Sequence, residues 1–231
     1  MNTKATTPHP NALKKRTGIL AFFRSPEPFF RIGAKWLVRI LYRCEFQGFS
    51  KNIPEEGPAV LICNHVSYVD GLIINAACNR PVRFIIDEEI YKVPAVKYFM
   101  DLNRAIPILP TRSSVKHAIS EARAGLEQGD LIVIFPEGFL TYTGNMMRFR
   151  FGVEWIVKDM DVPVIPIALG GIWGSVFSRK YRRTKWRMIP RSFRRKIVAI
   201  CGKPIPAEKA RINHMQREVM ILKNKAINQL R

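Results

Sequence analysis

Ala59-Val60-Leu61-Ile62-Cys63-Asn64-His65-Val66-Ser67-Tyr68-Val69-Asp70 is a run of five apolar residues that passes without a break into a polar loop. A short apolar run with a sharp polar end reads as a strand buried inside a sheet. The residues after it carry an imidazole and a carboxylate five positions apart, just before a second apolar pattern, Gly71–Cys78, with helical spacing. In α/β proteins, ligands gather at the C-terminal ends of such strands. The stretch therefore proposes a fold class and a site together.

The same signature recurs along the chain. Ala59–Cys63 is joined by Val82–Ile86, Ala105–Leu109, Leu131–Phe135, Val164–Leu169 and Ile197–Cys201, separated by helical patterns such as Ser113–Gln128. Alternating strands and helices predict an α/β domain with a central mixed sheet flanked by helices, over residues 45–206. Residues 207–231 predict a closing helix, with Ile212, Met215, Val219, Leu222 and Ile227 at helical spacing. Residues 1–28 are polar and proline-dotted and predict a flexible tail. Between tail and domain, residues 29–44 predict an amphipathic helix. Phe29, Ile32, Trp36, Leu37, Ile40 and Leu41 recur at helical spacing, and Arg31, Lys35, Arg39 and Arg43 fall on another face. Such a helix covers the domain core or lies in a lipid headgroup layer, and the two readings are compatible.

Composition narrows the partners. A chain of 231 residues with 47% apolar content can bury a core, and 38 basic against 18 acidic residues leave a net charge of +20. That imbalance calls for a polyanion, either an anionic membrane surface or nucleic acid. Basic residues are densest from Arg179 to Lys196, with Trp173, Phe177, Trp186 and Phe193 near or among them, a mixture suited to a membrane interface. Helix-turn-helix, zinc-finger and RNP signatures are missing, so no specific nucleic acid is expected. No apolar run approaches the roughly 20 residues that span a bilayer, and no signal-peptide core opens the chain. The expected place is the cytoplasmic face of the membrane, peripheral or monotopic. Cys44, Cys63, Cys78 and Cys201 lack metal-ligand or CxxC spacing and read as reduced thiols. Neither a metal nor a nucleotide cofactor is called for, since HExxH, Walker A and GxGxxG patterns do not occur.

Two loops carry the candidate chemistry. In Asn64–Asp70, Ser67 and Asp70 read either as a variant helix-capping box or as part of a dyad. In the dyad, Asp70 turns back one helical turn to hold one imidazole nitrogen of His65, leaving the other free as a base. The second loop is Phe135-Pro136-Glu137-Gly138, followed by Thr141, Thr143 and Gly144 and by Arg148, Phe149 and Arg150. By itself it is an ordinary turn; after a second buried strand it becomes a candidate for substrate contact.

These blocks resemble the glycerolipid acyltransferases whose type member acylates 1-acylglycerol-3-phosphate. Asn64-His65-(four residues)-Asp70 matches that family's NHxxxxD, Phe135–Gly138 its FPEG, and Val162-Pro163-Val164-Ile165-Pro166-Ile167 its proline-bracketed block. Gly202-Lys203-Pro204-Ile205 is similar to its closing strand and turn. The resemblance covers roughly Gly48 to Pro206 and implies transfer of a fatty acyl group from acyl-CoA or an acyl carrier protein to the hydroxyl of a lysophospholipid. It implies His65 and Asp70 as catalytic residues, and Glu137, Gly138 and Thr141 in the acceptor loop. Two departures stand out: Leu109-Pro110 replaces the arginine expected after the third strand, making Arg112 the nearest binding candidate, and Phe139-Leu140-Thr141 replaces an arginine beyond the FPEG glycine. Arg150, and with it Arg148, offer headgroup phosphate contacts instead. The run Phe135–Gly138 followed by Thr141–Met146 more closely resembles the acyltransferase part of bacterial 2-acylglycerophosphoethanolamine acyltransferases. No GxSxG elbow occurs, so direct transfer is expected, with Ser67 a remote nucleophile candidate. Competing readings are a lyso-aminolipid acceptor and a non-catalytic basic protein bound to membrane or nucleic acid.

Overall fold

The computed structural model describes residues 27–181 and 194–230. Residues 1–26 of the expected tail and 182–193 of the basic stretch lie outside the described residues.

A seven-stranded sheet forms the middle layer, in the order β1-β7-β6-β2-β5-β3-β4. The strands are β1 (Tyr42–Gln47), β2 (Ala59–Cys63), β3 (Val82–Asp87), β4 (Ile106–Ile108), β5 (Leu131–Ile134), β6 (Val164–Gly170) and β7 (Arg195–Cys201). Every neighbouring pair is parallel except β6 and β7, so the sheet is mixed. β2 sits between β6 and β5 and is buried throughout. Its side chains alternate faces: Ala59, Leu61 and Cys63 enter one apolar cluster, and Val60 and Ile62 the other.

Helices cover both faces. On the first lie α1 (Glu27–Leu41), α2 (Asp70–Ala77) and α3 (Pro94–Leu102), contributing Val38, Ile73, Ile74, Phe99 and Met100. On the second lie α4 (Arg112–Glu127), α5 (Gly152–Val157) and α6 (Ile212–Asn228), contributing Ala118, Leu126, Val153, Ile156, Met215 and Val219. The closing helix α6 is thus part of the domain, packed on β6 and β7.

The N-terminal helix differs from its expected bounds of 29–44. It starts at Glu27 and ends at Leu41, because Tyr42–Gln47 pairs with β7 as an edge strand. Its apolar residues also divide between two surroundings. Ala34 and Val38 are buried, and the helix lies against α2, whereas Ile32, Trp36, Leu37 and Ile40 face outward, with Trp36 61% exposed. Among the described residues no helix is long and apolar enough to cross a membrane.

Candidate active site

The two loops singled out in the sequence meet at one end of the sheet, because β2 and β5 are parallel neighbours and both loops leave their C-terminal ends. Asn64, fully buried, fastens the first loop to β6. Its amide donates to the Leu169 carbonyl at 3.2 Å and its carbonyl accepts from the Leu169 N–H at 2.8 Å. The chain can then turn away from the sheet at His65 without leaving backbone groups of β6 unpaired.

His65 Nδ1 lies 2.9 Å from Asp70 Oδ2. The same oxygen accepts the N–H groups of Val66 at 2.6 Å and Ser67 at 2.9 Å. One carboxylate therefore closes the loop on itself and fixes the imidazole, combining the capping and dyad readings. The helix itself starts later than a Ser67 cap requires, with Val69 preceding Asp70 and no side-chain cap. Asp70 is completely buried, and its Oδ1 has no hydrogen-bond partner among the described residues. Because a carboxylate is acceptor-only when ionised, the contact places the His65 proton on Nδ1. Nε2 keeps a lone pair with no hydrogen-bond partner among the described residues, on a side chain 22% exposed. The ring stacks on Phe135, centroids 4.1 Å apart.

Glu137 is 3% exposed and lies inward. Oε1 accepts from the His65 backbone N–H at 2.8 Å, and Oε2 from Met147 N–H at 2.7 Å. Burial raises its carboxyl above the ordinary range, opposed by those two backbone donors and by the nearby positive groups. Thr141 binds the loop again: its N–H donates to the His65 carbonyl at 3.0 Å, and its hydroxyl donates to Asn145 O and accepts from Thr143 and Gly144. The two loops form one hydrogen-bonded unit around His65. Glu137→Gln places an NH₂ against one of two backbone donors and is expected to destabilise the fold by about 1–3 kcal/mol, the cost of a buried unpaired polar group. Urea denaturation would detect this as a lower midpoint at an unchanged slope.

Gly138 is exposed and takes φ +76°, where a Cβ would lie 2.8 Å from Arg150 Nε. Arg150 lies beside it, with its N–H on the Pro136 carbonyl and its guanidinium over Phe139, and so joins this loop. Arg112 is elsewhere. It opens α4 after β4, exposed, three strands from β2 or about 14 Å at the usual strand spacing. Ser67 is buried, with its hydroxyl directed at the Val69 N–H. Burial pushes the thiols of Cys44 and Cys201 up to about 12, and Cys63 well above its ordinary range, so none of the three is a ready thiolate. Among the described residues no group of three His, Cys, Asp or Glu side chains is placed to hold a metal ion.

Two contributors lie far along the chain: Arg179, read in the sequence only as the start of the basic stretch, and Lys223, which the sequence did not mark. Arg179 donates to the Leu140 carbonyl at 3.2 Å and stacks on Tyr142, and its Nε is buried without a partner among the described residues. Lys223, on α6, donates to Gly144 O at 2.9 Å; burial lowers its ammonium, with Glu137 pulling the other way.

Residues 45–170 match the protein-family model described as Acyltransferase. The chain belongs to that family. The match begins inside β1 and ends with β6, so it contains both loops, whereas Arg179 and Lys223 lie outside it. A 1-acyl-sn-glycerol-3-phosphate acyltransferase of Pseudomonas aeruginosa is 30% identical over 186 residues, 72% of this chain and 70% of that protein. A chloroplastic enzyme of the same name from Brassica napus is 26% identical over 66% of this chain, which spans about half of its length, 46%. The fold is shared with the crystal structure of the 1-acyl-sn-glycerophosphate acyltransferase PlsC of Thermotoga maritima. The TM-score is 0.61 at 20% identity, over 88% of this chain and 77% of the other.

Proposed function

We propose that this acyltransferase moves a fatty acyl group from a thioester, acyl-CoA or acyl carrier protein, to the hydroxyl of a lysophospholipid at the cytoplasmic membrane surface. The observation that carries the reading is the His65–Asp70 contact, which leaves Nε2 without a partner among the described residues at the C-terminal end of β2. Nε2 takes the acceptor's hydroxyl proton as the oxygen attacks the thioester carbonyl. The tetrahedral intermediate collapses with loss of the C–S bond, and the imidazolium returns the proton to the departing sulfur. Asp70 holds the ring in the required tautomer and offsets its positive charge. No acyl-enzyme is needed, and the thioester supplies the activation.

In this reading Glu137 and Thr141 hold the acceptor loop in place from within, while Gly138 and Arg150 present its outer surface to the acceptor. The outward row Ile32, Trp36, Leu37 and Ile40 on α1 enters the headgroup layer, with Lys35 and Arg39 beside it. Relatives named for 1-acylglycerol-3-phosphate support a phosphate-bearing acceptor. The missing arginine beyond Gly138 keeps lysophosphatidylethanolamine and lyso-aminolipids in the test. Purified protein in anionic vesicles would be given radiolabelled acyl-CoA or acyl carrier protein and a panel of these lysolipids. Transfer to one acceptor, abolished by His65→Ala, is the expected result. No transfer from either donor to any acceptor would overturn the reading.

A further inference from the structure

Beside α1, at the end of the sheet that holds His65, lies a cleft of about 420 Å³ lined by Arg39, Tyr42, Arg43, Cys44, Glu45, Arg194 and Lys196. Four cations face one carboxylate there. Glu45 lies 3.5 Å from Lys196, and Arg39, Arg43 and Arg194 have no ion pair among the described residues. The chain has little with which to neutralise them, since residues 1–26 and 182–193 contain no Asp or Glu. Clustered like charges cost free energy unless an anion is brought in.

The fold also holds this arrangement against a backbone preference. Arg194 takes φ +51°, a left-handed conformation that costs a side-chain-bearing residue about 1 kcal/mol or more. Tyr42, which lines the cleft, is buried. The exposed apolar row of α1 runs along the same helix as Arg39.

We propose that this cleft is a phosphate-binding site separate from the acceptor loop, taking the phosphate of a membrane lipid headgroup or of a coenzyme-bound acyl donor. Arginine forks suit phosphate oxygens bidentately, and Lys196 adds a point charge.

Binding of the full chain would be measured by co-sedimentation with phosphatidylglycerol or phosphatidylcholine vesicles, and by calorimetry with coenzyme A and 3′-dephospho-coenzyme A. At about fivefold per basic residue near an anionic partner, Arg39→Gln/Arg43→Gln should weaken binding of the recognised probe about 25-fold. Glu45→Gln, which removes the one carboxylate lining the cleft, should strengthen it several-fold, a change that misfolding cannot imitate. Arg194→Gly should bind more weakly while melting no lower, because glycine relieves the left-handed backbone. Loss confined to phosphatidylglycerol assigns the lipid source, and loss confined to coenzyme A assigns the donor. Wild type binding neither probe, or the double variant and Glu45→Gln binding as wild type, would overturn the proposal. Repeating the measurements in His65→Ala protein, where no transfer is expected, separates this outcome from failure of the acyltransferase reading.

Discussion

Replacing His65 with alanine is expected to lower acyl transfer by about 10²- to 10⁴-fold, the usual contribution of a positioned general base. Its stability should change by no more than about 1 kcal/mol, as befits a partly exposed side chain. Among the described residues the ring's one hydrogen bond is to Asp70, and the backbone N–H that donates to Glu137 and the C=O that accepts from Thr141 survive the substitution. The loop should therefore persist without the imidazole. The measurement is initial transfer rate against thermal midpoint for the two proteins. A variant that kept wild-type turnover would remove His65 from the chemistry, whatever the relatives do.

Asp70→Asn should be nearly as damaging, for a different reason. An asparagine carbonyl in the Oδ2 position can still accept the Val66 and Ser67 N–H groups at 2.6 and 2.9 Å, so the loop survives. What goes is the negative charge that stabilises the imidazolium and compels the proton onto Nδ1. In serine-protease triads the corresponding change costs on the order of 10⁴ in rate. Asp70→Ala tests something else. It leaves two buried backbone donors and the imidazole N–H unpaired at a fully buried position, at about 1–3 kcal/mol for each buried group, and should lower the unfolding midpoint sharply. A large activity loss in Asn with a native melting curve, beside a large stability loss in Ala, would separate the charge from the brace. Equal melting losses in both would make Asp70 a structural residue only.

The parts of this arrangement that could be read in advance are local in sequence. Ala59–Cys63 is apolar at every position because both faces of β2 are covered, and such a run is unmistakable. His65 and Asp70 lie close enough for one turn of chain to join them. β1 was hidden for the opposite reason. Tyr42-Arg43-Cys44-Glu45-Phe46-Gln47 is an edge strand with the charged Arg43 and Glu45 and the apolar Phe46 all exposed, and the helical pattern before it runs on into Arg43. The apolar spacing of α1 was legible, but spacing alone does not say which residues the domain takes. The small Ala34 and Val38 allow close packing on α2, and the larger Trp36 and Ile40 are left outside. Glu137 was visible as part of a motif, yet its two bonds run to backbone N–H groups, which have no sequence identity of their own. Lys223 reaches Gly144 across 79 positions, and no periodicity encodes such a contact.

α1 lies against the helix that begins with Asp70, and its Val38 shares a buried cluster with Ile73 and Ile74 of that helix. On the proposed reading, attachment through α1 and turnover at His65 are linked by this packing. Trimming the chain back to Tyr42 in search of a freely dissolved enzyme would strip the apolar flank of the Asp70 helix and invite aggregation where solubility was sought. Conversely, a bilayer pulling on Trp36 would be pulling, through two packed helices, on the carboxylate that aims the base.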